Sequence, residues 1–580
     1  MNERRLLILQ RLIAAAIAFL WMGLFYAQVL RGPEYRRAAE KNRTRLVPLP
    51  ASRGSILDRH GIPLVEDRMS FELAAYPQEL KSPEETWRRL SPRIGVPPEE
   101  LAKRYKRGYA GPFAPVPLVR DLSTQTAFLL EESRSEFPGL IVRPTPRRHY
   151  LLGSALGPVA GYVGLIAPEE LTHLKPYGYT YRDLVGKDGL ELMYDRVLRG
   201  RDGGMQVEVD VRGRMVRQMG FRSPEKGKPI TVSLDGRLQS FCHRLLGEAV
   251  RSEKWGTGGA IIVMDSTTGE ILALSSYPTF DPNAFVTPGR QAEVRGFLRQ
   301  SSRPMFNRAF RSAVAPGSTF KVAVAYGALS ERKINSGTAF PCLGKLLVGN
   351  ALFRCWWEEG HGPQTVPEAL EHSCNVFFYH TGRRLGPEGI GRAARLFGLG
   401  RPTGIDLPKE AKGLVPDPAW MQAAVGHPWQ GGDTLSFAIG QGPLTVTPLQ
   451  MLLLVTAVGR EGVFPRPYLL RVPAASAPPA LSLPLDKEAL AQVKEGMRRV
   501  VASSTGTGRL AELPGIPAAG KTGTAQVSRG SAHAWFIGYA PTDRPKVSFV
   551  VFLEHGGKGG GPAAILARDL LAYLHELGYL

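Results

Sequence analysis

The sequence is poor in cysteine, with four in 580 residues. That excludes a disulfide-rich secreted scaffold, and a chain this long buries ample core without such staples. Acidic residues are in deficit: 52 against 73 lysines and arginines, a formal net charge of +21. Such an excess points to a polyanionic neighbour, whether nucleic acid, an anionic membrane or an acidic polymer. Zinc-finger, basic-zipper and RNA-binding signatures are missing, as are internal repeats. The 65 glycines and 47 prolines follow no collagen period and read as turns. With 43% hydrophobic and 22% charged residues, global disorder is excluded. The length predicts three or four domains, or two large ones.

Long apolar runs are also scarce. There is one, at the N-terminus, and Leu12 to Ala27 within it carries no charge. A helix from Leu6 to Leu30 would be about 37 Å long, enough to cross a bilayer core. Arg4, Arg5 and Arg11 precede or enter it, which places that end in the cytoplasm, and Trp21 and Tyr26 suit the far interface. The alternative is a cleaved signal peptide, but its apolar region is usually about 7–15 residues, and Ala27-Gln28-Val29 is a poor cleavage site. The expectation is a single-pass anchor in the cell (inner) membrane over residues 1–30. The bulk of the chain is then extracytoplasmic, and nucleic acid is not an expected partner.

The exported part divides by composition. Residues 31–228 carry short strand-like runs broken by Pro97-Pro98, Pro115-Val116-Pro117 and Pro144-Thr145-Pro146, with helical patterns at Glu99–Arg107 and Thr124–Glu131. They read as an extended, mixed α/β, non-catalytic pedestal. Residues 229–580 are more regular. Asp235 caps a helix running to Val250, Gly259–Met264 and Glu270–Leu274 form a hairpin, and Ala534–Tyr539 and Lys546–Leu553 are strands. Ala563–Leu577 is an amphipathic helix, and Pro473–Pro484 is a linker before the helix Lys487–Val501. Strands at both ends with helices between predict an α+β domain with a central antiparallel sheet and a helical subdomain.

Three short motifs carry chemistry. In Pro316-Gly-Ser318-Thr-Phe-Lys321 a turn opens a helix, and positions i and i+3 share a face, so Lys321 lies beside Ser318. A serine hydroxyl needs a base to act as a nucleophile, and a desolvated lysine serves when its pKa falls. Ser373-Cys374-Asn375 offers a hydroxyl and an amide to one cleft. Lys521-Thr522-Gly523-Thr524, followed by the strand-like Ala525–Val527, offers a cation and hydroxyls for a carboxylate, with Gly523 permitting close approach to the backbone.

In this order the trio resembles that of penicillin-binding proteins and serine β-lactamases. Arg53-Gly-Ser-Ile-Leu-Asp58-Arg59-His-Gly61, Gly186-Lys-Asp-Gly-Leu-Glu191 with Tyr194 and Leu198-Arg-Gly200, and Gly440-Gln-Gly442 with Thr447-Pro-Leu-Gln450 resemble further segments of the class B penicillin-binding proteins. The resemblance implies a DD-transpeptidase of cell elongation. Ser318 would attack the penultimate D-Ala carbonyl of a peptidoglycan stem, with Lys321 as base. Ser373 and Lys521 would pass the proton to the leaving amine, Asn375 would hold the acyl-side amide, and Thr522 and Thr524 would bind the terminal carboxylate. The N–H groups of Ser318 and Thr524 would form the oxyanion hole. No cofactor is implied for catalysis, and β-lactams would acylate Ser318. No glycosyltransferase motif is present, so polymerisation implies a RodA-type SEDS partner docked on the membrane helix and pedestal. The alternatives are a division-specific transpeptidase, a β-lactamase, a carboxypeptidase, or chiefly a non-enzymatic activator of the glycosyltransferase.

Cys342, Cys355, His361 and Cys374 are spaced C-x12-C-x5-H-x12-C. Three thiolates and an imidazole suit a closed structural zinc site, which would brace the loop holding Cys374. The alternative is a Cys342–Cys355 disulfide with His361 on the surface and Cys374 buried. Cys242 reads as core. His427, His533 and His555 read as structural, and Trp356, Trp357 and Trp429 as packing. Asp58 and Arg59 are expected in a structural salt bridge.

Overall fold

The computed structural model describes residues 3–35, 44–109, 115–180, 183–209, 215–473, 476 and 478–580. The side chains of Arg4 and Arg5 and part of the Pro473–Pro484 linker lie outside the described residues. The helix α1 (Glu3–Phe25) continues into Tyr26–Leu30, and Leu6–Leu30 has a mean hydropathy of 2.0 with its side chains exposed. It is the one helix among the described residues long and apolar enough to span a membrane.

The chain forms two compact units, whose internal contacts divide the segment 31–228 between them. One unit is Met1–Arg53, Asp67–Arg147 and Arg199–Gly227. The other is Gly54–Glu66, Arg148–Leu198 and Lys228–Leu580. The first unit holds a three-stranded antiparallel sheet of Thr44–Leu49, Gly203–Val209 and Met215–Arg222. The helices Pro83–Ile94, Pro98–Gly108 and Thr124–Glu132 bury Trp87, Leu90, Leu101 and Leu130 in a core of their own.

The larger unit is built on five antiparallel strands: β1 (Gly258–Asp265), β2 (Ile271–Tyr277), β5 (Ala519–Ala525), β6 (His533–Ala540) and β7 (Val547–Glu554), in the order β2-β1-β7-β6-β5. A separate hairpin, β3 (Lys345–Val348) and β4 (Ala351–Arg354), lies in the helical part. Both faces of the large sheet are covered. Ala260, Ile262 and Met264 of β1 enter one core, while Ile261 and Val263 enter the other. This is why its strands read as continuous apolar runs despite being antiparallel. The helix α2 (Gly236–Arg251) and the C-terminal α6 (Ala564–Glu576) cover the second face. On the first face lie α3 (Lys321–Ser330), α4 (Asn375–Leu396) and α5 (Lys487–Ala502). Asp235 caps α2 by accepting the Arg237 N–H at 2.9 Å.

The segment 186–191 belongs to this larger unit and is built into it. The Arg148 guanidinium donates to the Glu191 carboxylate at 2.6 Å, and both side chains are almost fully buried. Asp188 accepts two bonds from Arg311, and the Tyr194 hydroxyl donates to Asp406 at 2.5 Å. Of Asp58 and Arg59, Arg59 forms the expected structural salt bridge. Buried Asp58 closes a turn by accepting the N–H groups of His60 and Ile62, whereas Arg59 pairs with Glu270 at 3.2 Å. Part of the linker is also structured, since Leu481–Ser482 pairs with Val463–Phe464.

Breaking one half of a buried ion pair strands the other charge, at a cost of about 3–5 kcal/mol. Glu191→Ala should therefore lower the thermal unfolding midpoint of the larger unit markedly, and far more than Glu225→Ala at the exposed Arg201–Glu225 pair. Differential scanning fluorimetry of the two variants reads this out.

Candidate active site

Ser318 lies in a 3-10 turn, Gly317–Phe320, that runs directly into α3. The turn fixes the serine half-exposed while Lys321, one turn on, is fully buried. The Lys321 amine donates to the Ser373 carbonyl at 2.8 Å and to Asn375 Oδ1 at 2.7 Å, with Ser373 Oγ at 3.4 Å. Burial pulls its pKa down from 10.5 to about 8, against the opposing pull of the Cys374, Cys355 and Cys342 charges. A neutral amine with two N–H bonds made keeps its lone pair for a third direction. Ser373 sits at φ 51°, in the left-handed region that a side chain rarely adopts. Asn375 is not in a loop: it is the first residue of α4, with Cys374 as its N-cap.

The motif Lys521–Thr524 lies inside β5, the outer strand of the sheet, which ends at Ala525 instead of beginning there. Lys521 is fully buried, and burial first, then the Lys321 charge, hold its pKa well below the usual lysine range. Thr524 is exposed, and its Oγ1 accepts the Gly559 N–H at 3.2 Å, which leaves its proton free for a ligand. The Thr522 hydroxyl instead donates to Thr507 at 3.0 Å, and Thr507 donates to the Glu371 carbonyl at 3.0 Å. Thr507 and Glu371 were not foreseen from sequence. They lie far from the motifs in the chain, and only the packing of α5 against β5 joins them to the site.

Two glycines set the approach of the serine turn to the strand. Gly317, at φ +55°, would bring a Cβ within 2.6 Å of the Thr524 carbonyl oxygen. Gly440, at φ +74°, would bring one within 2.1 Å of the Gly317 carbonyl oxygen, and its own carbonyl accepts the Gly317 N–H at 3.0 Å. Side chains at either position would push the nucleophile turn off β5.

The cysteine cluster adjoins the same segment. All four cysteines are free, so the disulfide reading does not hold. The ligand atoms of Cys342, Cys355, His361 and Cys374 lie within 4.8 Å of one another. Both Cys342 Sγ and Cys355 Sγ are 3.5 Å from His361 Nδ1. The edge between sulfur and nitrogen in a zinc tetrahedron is about 3.5 Å. Hydrogen bonding with Cys374 pulls the Cys342 thiol down to about 5 and Cys355 further still, while Cys374 is pushed up. The residues therefore fit a tetrahedral metal. Cys242 is fully buried in the sheet's second core.

The histidines stand apart from the chemistry. His533 accepts the His555 backbone N–H at 3.0 Å, and His427 is half-buried. Trp429 packs on Phe437, and Trp356 packs in its loop on Trp357 and His361, although both loop indoles are exposed.

The family model of the penicillin binding protein transpeptidase domain matches residues 259–572, and that of the penicillin-binding protein dimerisation domain matches residues 48–232. The chain belongs to the penicillin-binding protein transpeptidases. Its relatives include the peptidoglycan D,D-transpeptidase MrdA of Acinetobacter baumannii, 32% identical over 574 residues, covering 94% of this chain and 84% of that protein. Among solved structures, the Helicobacter pylori penicillin-binding protein PBP2 in complex with MreC aligns with a TM-score of 0.82 at 28% identity, covering 93% of this chain and 99% of that one. A chain from a peptidoglycan synthase complex that coordinates polymerization and crosslinking aligns with a TM-score of 0.74 at 32% identity, covering 98% of each. The protein is a penicillin-binding protein of the PBP2 type, a peptidoglycan D,D-transpeptidase.

Displacing a catalytic atom by about 1 Å costs up to roughly 100-fold in rate. Gly440→Ala should slow acylation by a fluorescent penicillin by about 10- to 100-fold, with the extent of folding by circular dichroism retained.

Proposed function

We propose that Ser318 is the nucleophile of this transpeptidase and Lys321 its base, the observation that carries this being the fully buried, pKa-depressed Lys321 amine one turn from Ser318. The Oγ–C bond forms as the Ser318 proton passes to Lys321. The C–N bond to the terminal D-Ala then breaks, and its amine takes a proton through Ser373 and Lys521. Asn375 holds the acyl-side amide, and its place beside Lys321 supports this role. Thr524, with its proton uncommitted, binds the terminal carboxylate. Thr522 joins it once its hydroxyl turns from Thr507. Gly523 lets the serine turn pack on the strand, since a Cβ there would meet Thr319 Cγ2 at 2.8 Å and the Pro316 carbonyl oxygen at 2.9 Å, and the N–H groups of Ser318 and Thr524 form the oxyanion hole. An amine of a second stem then attacks the ester, which forms the cross-link and releases Ser318.

The chain acts in cell elongation, anchored in the cell membrane by α1 with its N-terminus in the cytoplasm. Its polymerising partner is a SEDS-family glycosyltransferase of the RodA type, engaged through α1 and the first unit. The relative found in a peptidoglycan synthase complex supports that pairing. Cys342, Cys355, His361 and Cys374 hold a structural zinc ion. When bound it would neutralise thiolate charge near Lys321 and tie the β3–β4 hairpin to the Ser373–Asn375 segment.

A fluorescent penicillin should label the wild type stably and fail on Ser318→Ala and Lys321→Ala. Since the amine must be neutral to act, the acylation rate should rise with pH and level off above about 8. Labelling of Ser318→Ala would refute the assignment. For the metal, elemental analysis of purified protein should find one zinc per chain, lost in the Cys342→Ser/Cys355→Ser variant together with a drop in thermal stability. Protein free of zinc at any stoichiometry would refute the site.

A further inference from the structure

Among the described residues the β3–β4 hairpin is a two-stranded sheet, an arrangement that is marginal by itself. Its inner face is held: Phe353, paired with Leu346, stacks edge-on against Tyr379 at 5.6 Å. Its outer face is not. Leu347 and Leu352 pair across the strands and are 66% and 45% exposed, and the pair Lys345 and Arg354 lies beside them, also exposed. Two and three residues past the hairpin, Trp356 and Trp357 are 51% and 45% exposed, in an edge-to-face pair at 5.7 Å. Large apolar residues clustered at the surface mark a binding face more often than a stability device.

This face continues into the catalytic cleft. The Arg354 carbonyl accepts the Asn375 side-chain amide at 3.3 Å, and the Trp356 indole N–H donates to the His372 carbonyl at 2.9 Å, one residue before Ser373. Anything held at Asn375 and extending outward therefore meets the hairpin. A five-residue stem spans at most about 17 Å, and a four-residue strand about 13 Å, so a hairpin rooted at Asn375 is long enough to run beside the stem towards its sugar. The chemistry of the face is mixed: aromatic and aliphatic surfaces with two cations between them. A saccharide presents apolar C–H faces that lie on indole rings, and the stems it carries present carboxylates for Lys345 and Arg354.

We propose that the outer face of the β3–β4 hairpin, with Trp356 and Trp357, is a binding ledge for the glycan-linked part of the donor strand. The inference rests on the transpeptidase reading of the cleft and adds to it a second point of attachment. The ledge makes the enzyme prefer stems still attached to sugar, through KM and not through the chemical step.

The test uses full-length protein and two donors: a pentapeptide stem without sugar, and the same stem on short glycan strands. The variants are Leu347→Ser/Leu352→Ser and Trp357→Ala. Both are expected to keep wild-type penicillin acylation and wild-type turnover of the sugar-free stem. With the glycan-linked donor KM should rise about five- to tenfold at unchanged kcat, the size expected for one lost aromatic or apolar contact. An unchanged KM in the double variant, or an equal rise for both donors, overturns the proposal. So does loss of binding to phosphatidylglycerol vesicles with KM unchanged, which would make the face a membrane contact. If Trp357→Ala loses penicillin labelling, its cleft is damaged and the double variant, whose altered side chains project to solvent, decides. A wild type that turns over neither donor would instead count against the transpeptidase reading itself.

Discussion

The site depends on a lysine amine taken out of water. Lys321 reaches the interior because the 3-10 turn at Gly317–Phe320 rolls straight into α3, so that Ser318 faces the cleft while the next turn faces the core. Depressing its pKa from 10.5 to about 8 corresponds to about 3 kcal/mol of disfavoured protonation. The rest of the fold sustains that burial. The Ser373 carbonyl and Asn375 Oδ1 satisfy two of the amine's protons, and Ser373 holds a left-handed backbone conformation while doing so. Strain of that kind persists only where the surroundings over-determine it. Here Cys374, at the centre of the thiol cluster, and the N-terminus of α4 provide the constraint. The Lys321 charge in turn adds to burial in pushing a second buried lysine, Lys521, towards neutrality.

The second requirement is that β5 remain an outer strand. A strand edge with its polar groups facing a cleft is a hazard elsewhere and a recognition device here. The approach of the serine turn to that edge is set by backbone-to-backbone contacts at Gly317 and Gly440, and no side chain fits in either gap. Rigidity comes from a sheet buried on both faces. The segment 186–191 is tied to the same body through Asp188–Arg311 and Tyr194–Asp406.

Much of this was legible in the sequence because its signals are local. The i, i+3 spacing of Ser318 and Lys321, the cap at Asp235 and the β1–β2 hairpin each depend on a few neighbouring residues. The cysteine cluster was legible as a set of donors. Other features depend on contacts between distant segments and left no local trace. Thr507 and Glu371 reach Thr522 only through tertiary packing. The alternation of 54–66 and 148–198 with the other unit follows from contacts between segments distant in the chain, which composition does not record. Trp356 and Trp357 looked like packing residues, and only the folded hairpin reveals that their rings face water.

The most direct measurement is the titration of Lys321 itself, by carbon-13 NMR of protein labelled at lysine Cε, with the signal assigned by its loss in Lys321→Met. A midpoint near 8 would place the base in its working form close to neutral pH, as the burial requires. A midpoint near the ordinary 10.5 would mean that the amine is hydrated and charged in the resting enzyme, and the account of how Ser318 is activated would fail.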